Sequence, residues 1–247
     1  MEQEDYSKIY EYESMGKVYT GEKACISLTS WKARINTVAK TLYSLIKMCP
    51  GFHIVLVLSK DEFPLMEKEL PDNLMLFVEN KLIELFWIRP NLKSFKKVLF
   101  TMDKYRDVPV ISADDDCIYT CNYAQELYDV WTVNKDCCVT YKNITKFKGV
   151  PGNWGAASIY PPNFYKDFGL KFLTKEIINT SLDDGYYCVL RFHLNLKEVQ
   201  INKDPFKCVF TFHTKQDALC SNYLRTNFCQ SAMNHMDRII YTGIKNS

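Results

Sequence analysis

The sequence predicts one α/β domain, with a mostly parallel, Rossmann-type sheet flanked by helices. Three observations carry that expectation. The first two-thirds of the chain alternate strand-like with helix-like segments, the pattern of a sheet covered on both faces. Runs such as IVLVL at Ile54–Leu58 are apolar at every position, as a strand buried on both sides requires. The chain has 247 residues, 47% of them hydrophobic, which is enough for one sizeable core, and no linker forces a division.

The elements follow in order. KACISL at Lys23–Leu28 reads as a strand. Ile35, Val38, Leu42, Leu45 and Ile46 recur at helical spacing over residues 35–48. A buried strand spans 52–58, a short helix 61–70 and a further strand 85–88. Ser94 can cap a helix over 95–105. Val108–Ala113 is the next strand, followed by a helix over 123–133 and a strand over 137–142. KGVPGN at 148–153 is a Gly- and Pro-rich loop. A strand over 156–160 stops at Pro161-Pro162, and a helix spans 182–194. Beyond it the pattern is mixed.

Several function classes fall away on composition. The net charge of +2 gives no basic footprint for nucleic acid. The acidic start MEQEDYSKIY lacks the basic and apolar regions of a signal peptide, and the longest apolar runs are too short to span a bilayer. Ten cysteines are scattered without CxxC pairs, so the expectation is free thiols in a reducing cytoplasm.

The most informative stretch is VPVISADDDCIYT, Val108–Thr120, where an apolar strand ends in Asp114, Asp115 and Asp116. Neighbouring carboxylates repel unless a cation lies close. In an open parallel sheet, ligands sit beyond the carboxyl ends of the strands, which is where this triplet falls. A solvated Asp turn is the plain alternative. A hard cation, Mn²⁺ or Mg²⁺, shared with a substrate phosphate is the functional one. Because side chains alternate along extended chain, Asp114 and Asp116 share a side.

ISLTSWKARINTVAKTLYSLI (Ile26–Ile46), then IVLVLSKDEFP, then SFKKVLFTMDKYRDVPVISADDDCIYT resemble small bacterial glycosyltransferases of the GT-A fold, which carry a metal-binding DxD motif. The resemblance covers roughly Lys23 to Leu196. It implies an N-terminal extension over 1–22 and a GT-A-like domain over 23–247. Its nucleotide-binding part spans about 23–120 and its acceptor-binding part about 121–247. Thr29, Ser30 and Arg34 match the stretch that holds the nucleotide, and Lys93, Ser94 and Lys97 match a second donor-side segment. Asp116 is then the direct metal ligand, with Asp114 or Asp115 on the ribose or sugar; Asp114 also belongs to the metal set. Asn153, Trp154 and Gly155 match an acceptor-side stretch, and His213 is a late histidine that could reach the metal.

A transferase also needs a base for the acceptor hydroxyl. The resemblance places an acidic pair at Asp183 and Asp184. The same residues fit a capping box, Ser181-Leu182-Asp183-Asp184, with Ser181 as N-cap, which leaves Asp183 the freer of the two. Gly185-Tyr186 departs from the Ile and Trp that often continue this pair.

The expected function is transfer of a sugar from a nucleotide donor, a UDP-sugar first, to a saccharide or lipid-linked saccharide. The expected setting is surface polysaccharide or lipopolysaccharide synthesis, in the cytoplasm or peripherally at the inner membrane face. A sugar nucleotidyltransferase shares fold and metal, but its Gly-rich phosphate loop is missing from SLTSWKAR. A non-catalytic nucleotide-sugar-binding module is the remaining alternative.

Overall fold

The computed structural model describes residues 6, 11–141, 146–165, 168–204, 207–212 and 225–245. Along the chain these form β1 (Glu11–Gly16), β2 (Cys25–Thr29), α1 (Val38–Met48), β3 (His53–Ser59), α2 (Asp72–Glu79), β4 (Glu84–Arg89), α3 (Lys96–Lys104), β5 (Val110–Ser112) and β6 (Cys117–Tyr119). The second half contains α4 (Tyr123–Thr132), β7 (Cys137–Tyr141), β8 (Lys146–Phe147), β9 (Val150–Pro151), β10 (Ser158–Tyr160), α5 (Phe168–Lys171), α6 (Lys175–Thr180), α7 (Asp183–Leu194), β11 (Lys197–Ile201), β12 (Val209–Thr211) and α8 (Arg225–Lys245).

Eight strands make one sheet in the order β1-β4-β3-β2-β5-β10-β7-β11. Strands β4, β3, β2 and β5 are mutually parallel, β7 pairs parallel with β11, and β10 runs antiparallel between β5 and β7. Six strands therefore share one direction, and only β1 and β10 oppose it. The alternation of β3 explains why every one of its residues is buried. Ile54, Leu56 and Leu58 face one layer with Val38, Leu42 and Leu45 of α1 and Leu74 and Val78 of α2. Val55 and Val57 face the other with Val98, Leu99 and Met102 of α3 and with α7 and α8. Each such aliphatic side chain contributes roughly 1.5–3 kcal/mol of burial.

The stretch expected as an extension is part of this sheet. Residues 11–16 form edge strand β1, antiparallel to β4. Its mostly exposed Glu-rich pattern reads as polar tail in sequence, but suits an edge, where charge blocks pairing with another chain. Glu13 accepts from Lys60 at 2.6 Å. Gly16 ends the strand at φ +90°, and a Cβ there would lie 2.5 Å from the Ile83 carbonyl, so the turn needs glycine.

Three local expectations are corrected. The helix expected over 61–70 is only a 3₁₀ turn at Met66–Glu69, because Pro64 interrupts the run, and the helix proper, α2, starts after Pro71. Ser94 caps nothing; a 3₁₀ turn at Lys93–Phe95 leads into α3, and the Ser94 hydroxyl donates to the Ser181 carbonyl at 3.3 Å. Ser181 ends α6 in the left-handed region at φ +52°, and α7 starts from Leu182 without a side-chain cap, so the capping-box reading of Asp183 and Asp184 is wrong.

The cysteines are not all free. Cys121 and Cys208 form a disulfide that fastens β12 beside β6, across 87 residues of chain. Cysteine spacing along the chain does not reveal this pairing, because topology makes the contact. Closing so long a loop restricts the unfolded chain, so Cys208→Ser should cost about 2–4 kcal/mol. Urea unfolding with and without dithiothreitol checks this: the reductant should destabilise the parent and leave the variant unchanged.

Candidate active site

Every functional element converges on the carboxyl edge of the parallel strands. Thr29 ends β2 and passes into Ser30 and the turn carrying Arg34; Ser112 ends β5 and passes into the acidic triplet. Because β10 is antiparallel, Asn153–Gly155, just before it, return to the same edge. The N-terminus of α7 brings Asp183 and Asp184 there.

The triplet divides between two cations, Arg34 and Lys97. Asp115 turns inward, 3% exposed, where it accepts from the Ser30 hydroxyl at 2.6 Å and pairs with Arg34 at 3.0 Å. Its carbonyl accepts from Thr41 of α1 at 2.9 Å. Burial pushes its carboxyl up to about 6, with Arg34 opposing. Asp116 pairs with the other guanidinium nitrogen of Arg34 at 2.5 Å. Asp114 is the most open of the three and accepts from Lys97 at 2.7 Å. The Asp114 amide donates to the Tyr119 hydroxyl at 3.1 Å, and that hydroxyl donates to the Ala156 carbonyl at 2.8 Å.

Lys97 joins the two acidic groups. It is 5% exposed, and its ammonium lies 2.7 Å from Asp114, 3.2 Å from Asp183 and 3.5 Å from the Gly155 carbonyl. Burial alone would lower its proton affinity; Asp114, Asp183 and Asp184 together carry it well above the usual lysine value. Beside it, burial holds Lys96 down to about 8, against the pull of Glu62. Lys96 donates to the Lys93 carbonyl at 2.9 Å.

The two α7 carboxylates differ. Asp183 is ion-paired with Lys97. Asp184 accepts from the Gly155 amide at 3.2 Å, and its Oδ1 is inaccessible and has no hydrogen-bond partner among the described residues. The residue as a whole keeps some surface open to solvent. Burial, then the charge of Asp183, raise its carboxyl well above the ordinary range. A Cβ on Gly155 would lie 2.8 Å from Asp184 Oδ1, so a side chain there would displace the carboxylate.

Other expected residues are placed elsewhere. The Thr29 hydroxyl is spent on the Val57 carbonyl at 2.7 Å. Lys93 reaches Asn179 at 3.2 Å. Asn153 is fully buried and faces Arg191 of α7 at 3.0 Å and Cys138 at 2.9 Å, inside the fold. The Trp154 amide donates to Thr140 and Ser158 hydroxyls, and its ring meets Tyr141 edge-on at 6.4 Å. His213 lies outside the described residues. Sequence reading missed Tyr119, Lys96, Cys117 and Arg191; none belongs to a recognisable spacing, though the doubled lysine of SFKK was a signal for Lys96.

Asp114, Asp116 and Cys117 place one ligand atom each within 4.8 Å of one another. The donor set fits a hard divalent cation through its two carboxylates. A thiol is a soft donor and a poor match for Mn²⁺ or Mg²⁺, so the two carboxylates are the members of this set suited to such an ion. Arg34 pairs with Asp115 and Asp116, and Lys97 with Asp114 and Asp183, so the acidic residues of this corner outnumber the two cations they share.

No family model matches the sequence, and no curated protein matches it either. Solved structures do match. The glycosyltransferase GlyE of Streptococcus pneumoniae TIGR4 superposes over 92% of this chain and 64% of its own, with TM-score 0.50 and 10% identity. The fold is that of the GT-A glycosyltransferases. GalNAc-T7, solved with UDP, GalNAc and Mn²⁺, matches 73% of this chain and 42% of its own at TM-score 0.52 and 13% identity. The mannosyltransferase PcManGT of Pyrobaculum calidifontis, solved with GDP-Man and Mn²⁺, matches 80% and 59% at TM-score 0.51 and 9% identity. The chain thus spans less than two thirds of each of these three. Within this GT-A fold, the acidic triplet occupies the carboxyl end of β5.

The raised carboxyl of Asp115 makes a stability prediction. Its value rises from 3.8 to about 6 on folding, so the folded state holds the extra proton between those values and stability falls as pH rises through them. Asp115→Asn removes the penalty. In EDTA the variant should match the parent near pH 4 and exceed it by roughly 3 kcal/mol at pH 7, read by urea unfolding at both pH values.

Proposed function

We propose that this protein is a metal-dependent glycosyltransferase that moves a sugar from a nucleotide donor to a saccharide or lipid-linked saccharide acceptor. The observation that carries the reading is the meeting of two acidic groups on one lysine at the carboxyl edge of the sheet: Asp114 on the donor side and Asp183 on the acceptor side. Two separate carboxylate groups match the two separate needs of the reaction, charge on the leaving diphosphate and a proton on the acceptor.

Asp114 and Asp116 would hold Mn²⁺ or Mg²⁺, which when bound neutralises charge on the leaving diphosphate. Arg34 and Lys97 add positive charge to the same corner and hold the carboxylates in place. Asp184 takes the acceptor hydroxyl's proton. It fits better than Asp183 because Asp183 is tied to Lys97, while Asp184 keeps some surface open to solvent and has a raised affinity for the proton. Trp154 and Gly155 border the acceptor side, whereas Ser30 and Asp115 support the donor side from within. UDP-sugars are the first donors to test, with GDP-mannose beside them. No helix among the described residues is long and apolar enough to cross a membrane. Lipid-linked acceptors for surface polysaccharide, met at the cytoplasmic membrane face, are part of this reading.

Thermal-shift screening of UDP, UDP-sugars and GDP-mannose with and without Mn²⁺ tests the donor site, since a ligand of the native state raises its melting temperature. Asp116→Ala should abolish the Mn²⁺-dependent shift while leaving the unliganded melting curve cooperative. Transfer should fall on the order of 10²–10³-fold, as when other groups that stabilise developing charge are removed. Full activity of that variant, or of the parent in excess EDTA, would refute the metal's role.

The pH profile tests the base. Activity should rise with pH as Asp184 ionises, at values above the ordinary carboxylate range, because burial and the neighbouring charge of Asp183 raise it. Asp183→Asn removes that charge, so the rising limb should move to lower pH. A limb that stays put would assign the proton transfer elsewhere.

A further inference from the structure

Two turns beyond Asp184, α7 buries an arginine that the proposed reaction does not use. Arg191 is 1% exposed. Its Nε donates to Asn153 Oδ1 at 3.0 Å, one terminal nitrogen donates to the Pro151 carbonyl, and the other pairs with Glu198 of β11. Asn153 in turn donates to Cys138 Sγ of β7 at 2.9 Å. Three residues before Arg191 on α7, the Cys188 thiol contacts the Val150 and Pro151 carbonyls at 3.5 and 3.6 Å. Residues 150–155 are therefore strapped to α7 by side chains of α7 itself.

The strap ends at Gly155, whose amide donates to Asp184 and whose carbonyl faces Lys97. A Cβ there would lie 2.8 Å from Asp184 Oδ1, so a side chain at 155 would push the carboxylate off the strap amide. Strap and carboxylate are thus set by one rigid unit, with Arg191 at one end and Asp184 at the other.

We infer that Arg191 is a positioning residue: through Asn153 and Pro151 it fixes the 150–155 strap on α7 so that the Gly155 amide meets the Asp184 carboxylate. Burying a guanidinium is costly, and a pair of apolar residues would fill the same space at similar stability. The charge is used instead to fork across two strap groups and one strand, a planar geometry that no apolar side chain offers. Asp184 is otherwise faced by Asp183 of α7, Lys97 of α3 and Asp114 of the triplet, with the phenols of Tyr160 and Tyr187 nearby. None of these is attached to the strap except Lys97, through the Gly155 carbonyl.

The inference takes from the proposed function only the role of Asp184, and its test reads geometry without any substrate. In an NMR pH titration, the Gly155 amide shift should follow the Asp184 carboxyl in the parent, the carboxyl being assigned by its loss in Asp184→Asn. That coupling should disappear in Asn153→Ala and in the double variant Arg191→Met/Glu198→Met, which removes both buried charges together. Where transfer is measurable, kcat should fall while KM for the nucleotide-sugar stays unchanged. If the Gly155 amide still follows Asp184 in folded variants, Arg191 is merely structural and the inference is overturned. If the double variant fails to fold, Asn153→Ala decides alone, since it leaves the Arg191–Glu198 pair in place. Absence of transferase activity with the coupling intact would sink the function and spare the positioning.

Discussion

One ammonium group sets the terms for the rest of the site. Lys97 sits in contact with Asp114 and Asp183, two carboxylates delivered by different elements from different parts of the chain. At about 4 Å and an effective dielectric near 20, unit charges interact by roughly 4 kcal/mol, so these carboxylates could not share a corner without it. The position of Lys97 is itself enforced from below: the Ser27 hydroxyl of central strand β2 donates to the Lys97 carbonyl at 2.6 Å and meets the Thr101 hydroxyl at 2.7 Å. The sheet thus holds α3, α3 holds the lysine, and the lysine holds the acidic edge together.

The acidic triplet depends on support from both directions. Toward the core, Asp115 is clamped by Ser30, Arg34 and, through its carbonyl, Thr41. Toward the second half of the chain, the Asp116 carbonyl accepts from the Phe212 amide at 2.9 Å, where β12 lies along β6. The disulfide at Cys121 and Cys208 closes that side. Asp115 and Asp116 share the Arg34 guanidinium while Asp114 pairs with Lys97, so all three carboxylates meet cations and Asp115 also accepts from the Ser30 hydroxyl.

Much of this was legible in sequence because it is governed by short-range patterns. The parallel strands announce themselves as all-apolar runs, and the triplet announces itself by violating electrostatics at a strand end. What stayed hidden depends on pairing across the sheet. Edge strand β1 reads as an acidic tail because an edge has no second apolar face to reveal it. The Ser181 box looked like a cap because spacing alone does not report that Ser181 adopts φ +52° and closes the preceding helix. Asn153 resembled an acceptor contact, yet its amide is turned into the fold by Arg191, which is 38 positions away and matches no motif.

The two α7 carboxylates illustrate how neighbours divide chemically identical groups. Both sit in the first turn of the same helix, so the helix dipole acts on them alike. Asp183 differs because Lys97 stabilises its charge, and Asp184 differs because it is desolvated and feels the charge that Lys97 has stabilised next door. A carboxylate ion-paired with lysine beside one whose ionisation burial resists is an arrangement suited to proton transfer. Lys97 is shared between Asp114 and Asp183, so charge arriving at the donor side competes for the same ammonium. Its effect on Asp184 and the reverse effect of Asp184 ionisation must then be equal in free energy. On the proposed function, this one contact would couple the donor and acceptor halves of the site without any moving part.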